Sequence, residues 1–248
     1  MAEPTAPSTA RMIDFWLGGT HHFPVDVAAA RAFEETYGPC VAIFRELRAF
    51  LGRAVGAIAD AGVDGFLVLG AGLPTWGNVH EVATDATVLY TDVDPVTVAL
   101  GQQILAGEDR AGYGYGDATD LGTVDPAQLH RFVPGWGRRP VGVVFLGLAA
   151  FLDDEALART LDELYDAVAP GSFLAFDFDG EELTGHPQAL AMMGPQFRMR
   201  APTSFPALLG RWRPTEDSVL PVSRWRPHGE PAAVPDAFYG GLATRPAD

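Results

Sequence analysis

Two short stretches of this chain carry residue types that could do chemistry. The first is Gly70-Ala71-Gly72, followed twenty residues past Gly72 by Asp92. Glycines let a backbone turn sharply and approach a ligand closely. A carboxylate at that spacing can accept two neighbouring hydroxyls side by side, as on a ribose. Phe66 to Leu69 reads as a buried strand before the glycines, and Val88 to Thr91 as a second strand ending at Asp92. Asn78 to Ala83 reads as the first turns of a helix, whose start would offer unpaired N–H groups. A lone G-x-G is a weak signal. Joined to the spaced acid, it predicts a nucleotide-binding α/β unit.

The second stretch is His21-His22. A neutral imidazole near its natural pKa can deprotonate an attacking hydroxyl or amine. Neighbours in extended chain point to opposite sides, so one of the two at most would face a cleft. The same geometry argues against a shared metal, and no Cys pair or His-x-x-x-His supports one. The alternative is a pair of ordinary loop histidines. His80-Glu81 lacks the second histidine of a zinc-protease helix, and helix-start hydrogen bonding suits it better.

The elements that must position these groups follow from periodicity. Residues 1–10 read as a loose tail, and Arg11 to Leu17 is too apolar for a solvated linker. Val25 to Tyr37 is helical in pattern, stopped by Gly38-Pro39. Val41 to Ala61 repeats Ile43, Phe44, Leu47, Phe50, Leu51, Val55 and Ile58 at helical spacing. From Phe66 the pattern alternates strand and helix, which predicts a mostly parallel sheet. Further strands are expected at Ala111 to Gly116, Val141 to Leu146 and Ser172 to Phe178. Ser218 to Val222 and Ala237 to Thr244 close the chain as an antiparallel pair. The division is residues 1–61 as tail and helical cap, and 62–248 as the sheet domain.

Composition narrows the function classes. The net charge is −15 and all 17 basic residues are arginine, so lysine Schiff-base or P-loop lysine chemistry is excluded. Such acidity disfavours nucleic acid and anionic membrane as partners. Arg211, Arg213, Arg224 and Arg226, interleaved with Trp212 and Trp225, read as surface and interface arginines. Cys40 is the only cysteine, which rules out an intrachain disulfide and suits a cytoplasmic protein. No signal peptide is apparent, and no apolar run approaches a membrane span. A small-molecule substrate is expected, and a homo-oligomer is compatible with the chain.

Taken together, the chain resembles the class I S-adenosylmethionine-dependent methyltransferase fold. It resembles more closely an actinobacterial family of such methyltransferases, formerly a domain of unknown function. The carrying residues are Pro7 to Arg11, Asp14, Leu17-Gly18-Gly19, Phe23, Gly70 to Thr75, Gly77 to Val82 and Asp92-Val93-Asp94-Pro95. Pro221-Val222, Arg224 to Pro227 and Tyr239-Gly240-Gly241 complete them. The resemblance implies a doubly wound, seven-stranded sheet with an antiparallel C-terminal hairpin and an N-terminal helical cap. It implies S-adenosylmethionine bound by Arg11, Gly70, Ala71, Gly72, Thr75, Asp92 and Val93. Asp117 and Ala118 would lie at the adenine, and Leu148 in an apolar wall at the end of the fourth strand. No metal is implied.

Departures from the family pattern gather near that cleft. The family has an acid where this chain has Val68, which in methyltransferases helps hold the cofactor's cationic amino-acid end. Thr20-His21-His22, Trp76 and Ala150 also depart. The implied reaction is methyl transfer to a small apolar or aromatic molecule, with His21 or His22 as the candidate base. One alternative is a rearrangement, such as cyclisation or isomerisation in natural-product synthesis, on a fold that no longer transfers methyl groups. A non-catalytic ligand-binding protein is the other.

Overall fold

The computed structural model describes residues 3–247. Five parallel strands form its centre: β1 (Gly65–Leu69), β2 (Thr87–Asp92), β3 (Ala111–Tyr115), β4 (Gly142–Phe145) and β5 (Phe173–Asp179). They lie in the order β3-β2-β1-β4-β5, so the winding reverses between β1 and β4. At such a reversal the flanking connections diverge and leave a crevice beyond the strand ends.

Beyond β5 the sheet turns antiparallel. The seventh position along it is an edge filled by two fragments, β6 (Arg213–Pro214) and β7 (Leu220–Pro221), both pairing with β8 (Phe238–Thr244). β8 in turn runs antiparallel to β5, from Phe173 opposite Thr244 to Asp179 opposite Phe238. The expected strand Ser218 to Val222 therefore shrinks to Leu220–Pro221, and Arg213–Pro214 has no counterpart in the sequence reading. At the start of that expected strand Ser218 (φ +55°) closes a turn, its N–H donating to the Thr215 carbonyl (2.9 Å), and at the end Arg53 acts. Its guanidinium donates to the carbonyls of Val222 (2.6 Å) and Trp225 (2.8 Å), curling the chain out of the extended form.

Three helices precede the sheet: α1 (Thr9–Trp16), α2 (Pro24–Tyr37) and α3 (Cys40–Asp60). Thr9 and Ala10, expected in the tail, begin α1; Met1 and Ala2 lie outside the described residues. The first half of α3 packs with the cap, where Phe44 stacks on Trp16 at 4.8 Å. Its second half, through Phe50, Leu51, Val55 and Ile58, covers the sheet face carrying Phe66, Val68, Val88 and Tyr90. α4 (Val79–Val82) and α5 (Pro95–Ile104) complete that layer.

Leu67, Leu69, Val143, Phe145, Leu174 and Phe176 alternate onto the other face. There they meet α6 (Pro126–Phe132), α7 (Asp154–Ala167) and, after α8 (Pro187–Met193) near the cap, α9 (Phe205–Leu208). The alternation is what a sheet buried on both sides requires. The apolar area it removes from water, at roughly 25 cal/mol per Å², is the main force holding the layers.

The helix after the glycine turn is shorter than its pattern suggests. Pro74 and Gly77 hold Leu73 to Gly77 as loop, and α4 is a single turn. Its N-terminus is closed from within: the Asn78 N–H donates to Glu81 Oε2 (2.6 Å) and the His80 N–H to the Tyr90 hydroxyl (3.1 Å). Among the described residues, no helix is long and apolar enough to cross a membrane.

Candidate active site

The crevice beyond β1 and β4 holds a cavity of about 400 Å³, within the range of small-molecule sites. Its floor is the turn Gly70-Ala71-Gly72. Gly70 (φ +55°) and Gly72 (φ +62°) occupy the left-handed region, where a side chain is strained. A side chain at Gly70 would also displace Leu148, because a Cβ there would lie 2.3 Å from the end of that side chain. Ala10 of α1 lies over Gly72, 3.4 Å from where its Cβ would be. The cap thus roofs the turn.

Asp92, at the end of β2, binds back onto this turn. Its Oδ2 accepts the Gly72 N–H (3.1 Å) and its Oδ1 the Asp94 N–H (2.9 Å). Burial raises its pKa, against the lowering effect of those N–H donors. Each oxygen keeps a lone pair for a ligand hydroxyl. Asp94 caps α5 through the N–H groups of Val96 and Thr97 and the Thr97 hydroxyl (2.7 Å). Val93 stands between them, half exposed at the cavity rim.

The expected site residues thus divide. Gly70, Ala71, Gly72, Asp92, Val93 and Leu148 line one cavity, with Val68 beside them. Arg11, Thr75, Asp117 and Ala118 do not line it. Arg11 is buried behind α1, donating to Asp26 Oδ2 (2.8 Å) and the Ala6 carbonyl (2.8 Å), with Asp94 3.6 Å away. It positions Ser8, Thr9 and Ala10, which do line the cavity. Asp117 is occupied in its own turn, accepting the Thr119 N–H (2.8 Å) and hydroxyl (2.7 Å). Ala118 is packed in the core. The Thr75 hydroxyl is buried without a partner among the described residues.

The structure does not bring His21 or His22 to the cavity. Buried Asp14 holds both on the far side of α1, with its Oδ2 accepting the His21 N–H and lying 2.8 Å from His22 Nδ1. The Phe15 ring meets the His22 ring edge-on at 5.4 Å. The glycines before them serve this knot, because a Cβ on Gly19 would sit 2.0 Å from Asp14 Oδ1.

Three groups absent from the sequence reading do face the crevice. Arg48 of α3 is the only basic side chain lining the cavity, and it makes no hydrogen bond or ion pair among the described residues. Burial lowers its pKa, opposed by Tyr90, Glu81 and Tyr113. Asp177 and Asp179 project from the end of β5 on the same sheet face as Val68. Both had a signal in the sequence. Arg48 interrupts the inward stripe of α3 four residues after Phe44, and Leu-Ala-Phe-Asp-Phe-Asp puts two acids on one face of a strand. Trp76 is half exposed, whereas Ala150 is buried. The arginines near the C-terminus are surface groups paired with acids: Arg211 with Asp162 and Asp166, Arg224 with Asp236, Arg226 with Asp217. Trp212 and Trp225 between them are core residues.

Comparison with known proteins accords with this architecture. A candidate methyltransferase from Thermobifida fusca YX superposes with a TM-score of 0.87 at 27% identity, over 98% of this chain and 96% of its own. A DUF574 family protein from Streptomyces avermitilis MA-4680 gives 0.81 at 26% identity, over 97% and 98%. The N-methyltransferase NodS from Bradyrhizobium japonicum WM9 shares the fold at 13% identity, over 80% and 98%, with a TM-score of 0.51. No curated protein matches the chain by sequence. Residues 2–246 match the S-adenosyl methyltransferase family, and with a glycine-turn cavity at the sheet's reversal point, the chain belongs to that family of S-adenosylmethionine-dependent enzymes.

Proposed function

We propose that the main cavity binds S-adenosylmethionine and presents its methyl group to a small apolar or aromatic acceptor. The observation that carries this reading is Arg48, a guanidinium without a partner among the described residues, in a cavity whose other charged side chains are acids. Asp92, Asp94 and Asp177 line it together with Arg48. The cofactor has two positive groups and one carboxylate, and this inventory complements it. Arg48 would hold the carboxylate, Asp92 the ribose hydroxyls, and the Gly70–Gly72 backbone would accommodate the close approach. When bound, the cofactor supplies an electrophilic methyl group. The protein's own part is alignment and exclusion of water. Leu148, Phe151 and the α1 roof provide the exclusion.

The test is calorimetric titration with S-adenosylhomocysteine. The native chain is expected to bind it, and Arg48→Met is expected to lose about tenfold or more in affinity. Equal affinity in the two proteins would remove Arg48 from the site. Val68 supports a second reading, a rearrangement in natural-product synthesis without methyl transfer, because it lines the cavity where the family carries an acid. Absence of binding at millimolar S-adenosylhomocysteine would favour that second reading.

A further inference from the structure

A second chamber adjoins the main cavity beneath α2 and α8 and shares Phe44, Leu47, Phe151 and Asp177 with it. The chamber encloses about 120 Å³, the scale at which an apolar cavity takes up one aromatic ring. Phe33, Ile43, Leu190 and Met193 are among its apolar walls. Against this background stand two carboxylates. Asp177 is 8% exposed, and its Oδ1 accepts the Gly147 N–H at 2.6 Å. Its Oδ2 accepts nothing among the described residues, and neither does either side-chain oxygen of Asp179. The Tyr37 hydroxyl, also in the wall, is buried and unpartnered.

Arg200, the cation whose charge acts on Asp179, is committed elsewhere. Arg200 donates to Asp154 (2.9 Å) and to the carbonyls of Ala149 (2.7 Å) and Leu152 (2.7 Å). His186 meets the Tyr37 ring edge-on at 5.0 Å. Acidic groups in an apolar chamber call for donors from a ligand, since buried acceptors without donors are costly. A neutral hydroxyl brings one donor. An ammonium group brings up to three, with the complementary charge.

We infer that this chamber takes the methyl acceptor, and that the acceptor is an amine with an apolar, ring-sized body whose nitrogen lies between Asp177 and Asp179. This assignment rests on the methyl-transfer reading of the adjoining cavity. Burial pushes Asp177 up to about 7 and Asp179 up to about 8, the charge of Asp177 adding to the latter shift. Carboxylates this basic are better matched to an alkylammonium than ordinary ones. Either can take its proton: the N–H bond breaks, the electron pair stays on nitrogen, and the carboxylate becomes a carboxylic acid. The freed lone pair is what methylation requires.

The experiment titrates the full chain with 2-phenylethylamine and with 2-phenylethanol, with and without saturating S-adenosylhomocysteine. At about pH 9 both acids are ionised and the amine is still an ammonium ion. The amine should bind about tenfold or more tightly than the alcohol. Asp179→Asn should abolish that preference and leave binding of S-adenosylhomocysteine, whose cavity Asp179 does not line, unchanged. An amine that binds no better than the alcohol overturns the inference, as does a preference that survives in both Asp179→Asn and Asp177→Asn. Failure of S-adenosylhomocysteine to bind would strike instead at the methyl-transfer reading, because the amine preference is measured independently of it.

Discussion

Buried charge appears on both sides of α1, and the two sides treat it differently. In the cap, Arg11 meets Asp26, which also takes the N–H groups of Ser8 and Phe23, and Asp14 gathers the N–H of His21 and the ring of His22. Across the helix, Arg48, Asp177 and Asp179 are turned into cavities with few partners or none. The comparison separates two uses of the same chemistry. Charges paired within the protein fix the position of a helix, whereas those turned into a cavity are held available for a ligand. The histidines, the most reactive-looking residues in the sequence, fall on the paired side, through Asp14 Oδ2, while Asp14 Oδ1 and His21 Nδ1 are buried without a partner among the described residues.

The largest effect should come from breaking the cap. Asp26→Ala strands Arg11 in a site where the acid is fully buried and leaves two backbone donors unmet. Removing one partner of a buried pair costs about 3–5 kcal/mol, measurable by chemical denaturation. A loss below about 1 kcal/mol, the range of exposed pairs, would erase the distinction between the two sides.

Next in size is a dependence on pH. Asp177 and Asp179 have pKa values raised by burial to about 7 and about 8. The native state therefore keeps protons that the unfolded chain has already released above the ordinary carboxylate range. Stability from these groups is full below that range and is lost as pH rises towards 8. Tyr37, His186 and Arg200 face the same region, so the comparison must be with a variant. Melting temperatures of Asp179→Asn, followed from pH 5 to pH 9, should fall less steeply than those of the native chain. Parallel curves would mean that Asp179 is not desolvated.

The smallest effect is expected at His22. His22→Ala removes one hydrogen bond to Asp14 and should cost about 1 kcal/mol, with no change in S-adenosylhomocysteine affinity by calorimetry. A change in affinity would move the histidines to the cavity side.

The frame was legible because alternation and turn residues act locally. Leu67 and Leu69 against Phe66 and Val68, Pro95 behind Asp94, and Gly62 after α3 each declare an element in a few residues. Ser218 to Val222 departs from the expected strand because Ser218 closes a turn onto Thr215 and Arg53 holds the Val222 end from a distance. The site was less legible for the same reason. Gly70 to Gly72 and Asp92 belong to one βαβ unit and could be read together. His21 and His22 looked reactive by type, but Asp14, a neighbour in space as well as in sequence, decides their task. Arg48 lies far along the chain from Asp177 and Asp179, and only the packing of α3 over β5 sets it in the same cavity as Asp177.

The divided edge strand has a bearing on life at high concentration. β6 and β7 each contain a proline, Pro214 and Pro221, which has no N–H to offer. A continuous strand there would present a row of unpaired donors and acceptors to any passing extended chain. Two residues, a break and two more residues present almost none. The long apolar β8 behind them is thereby shielded from templating intermolecular sheet, and the molecule meets a crowded solution with that flank blunted against aggregation.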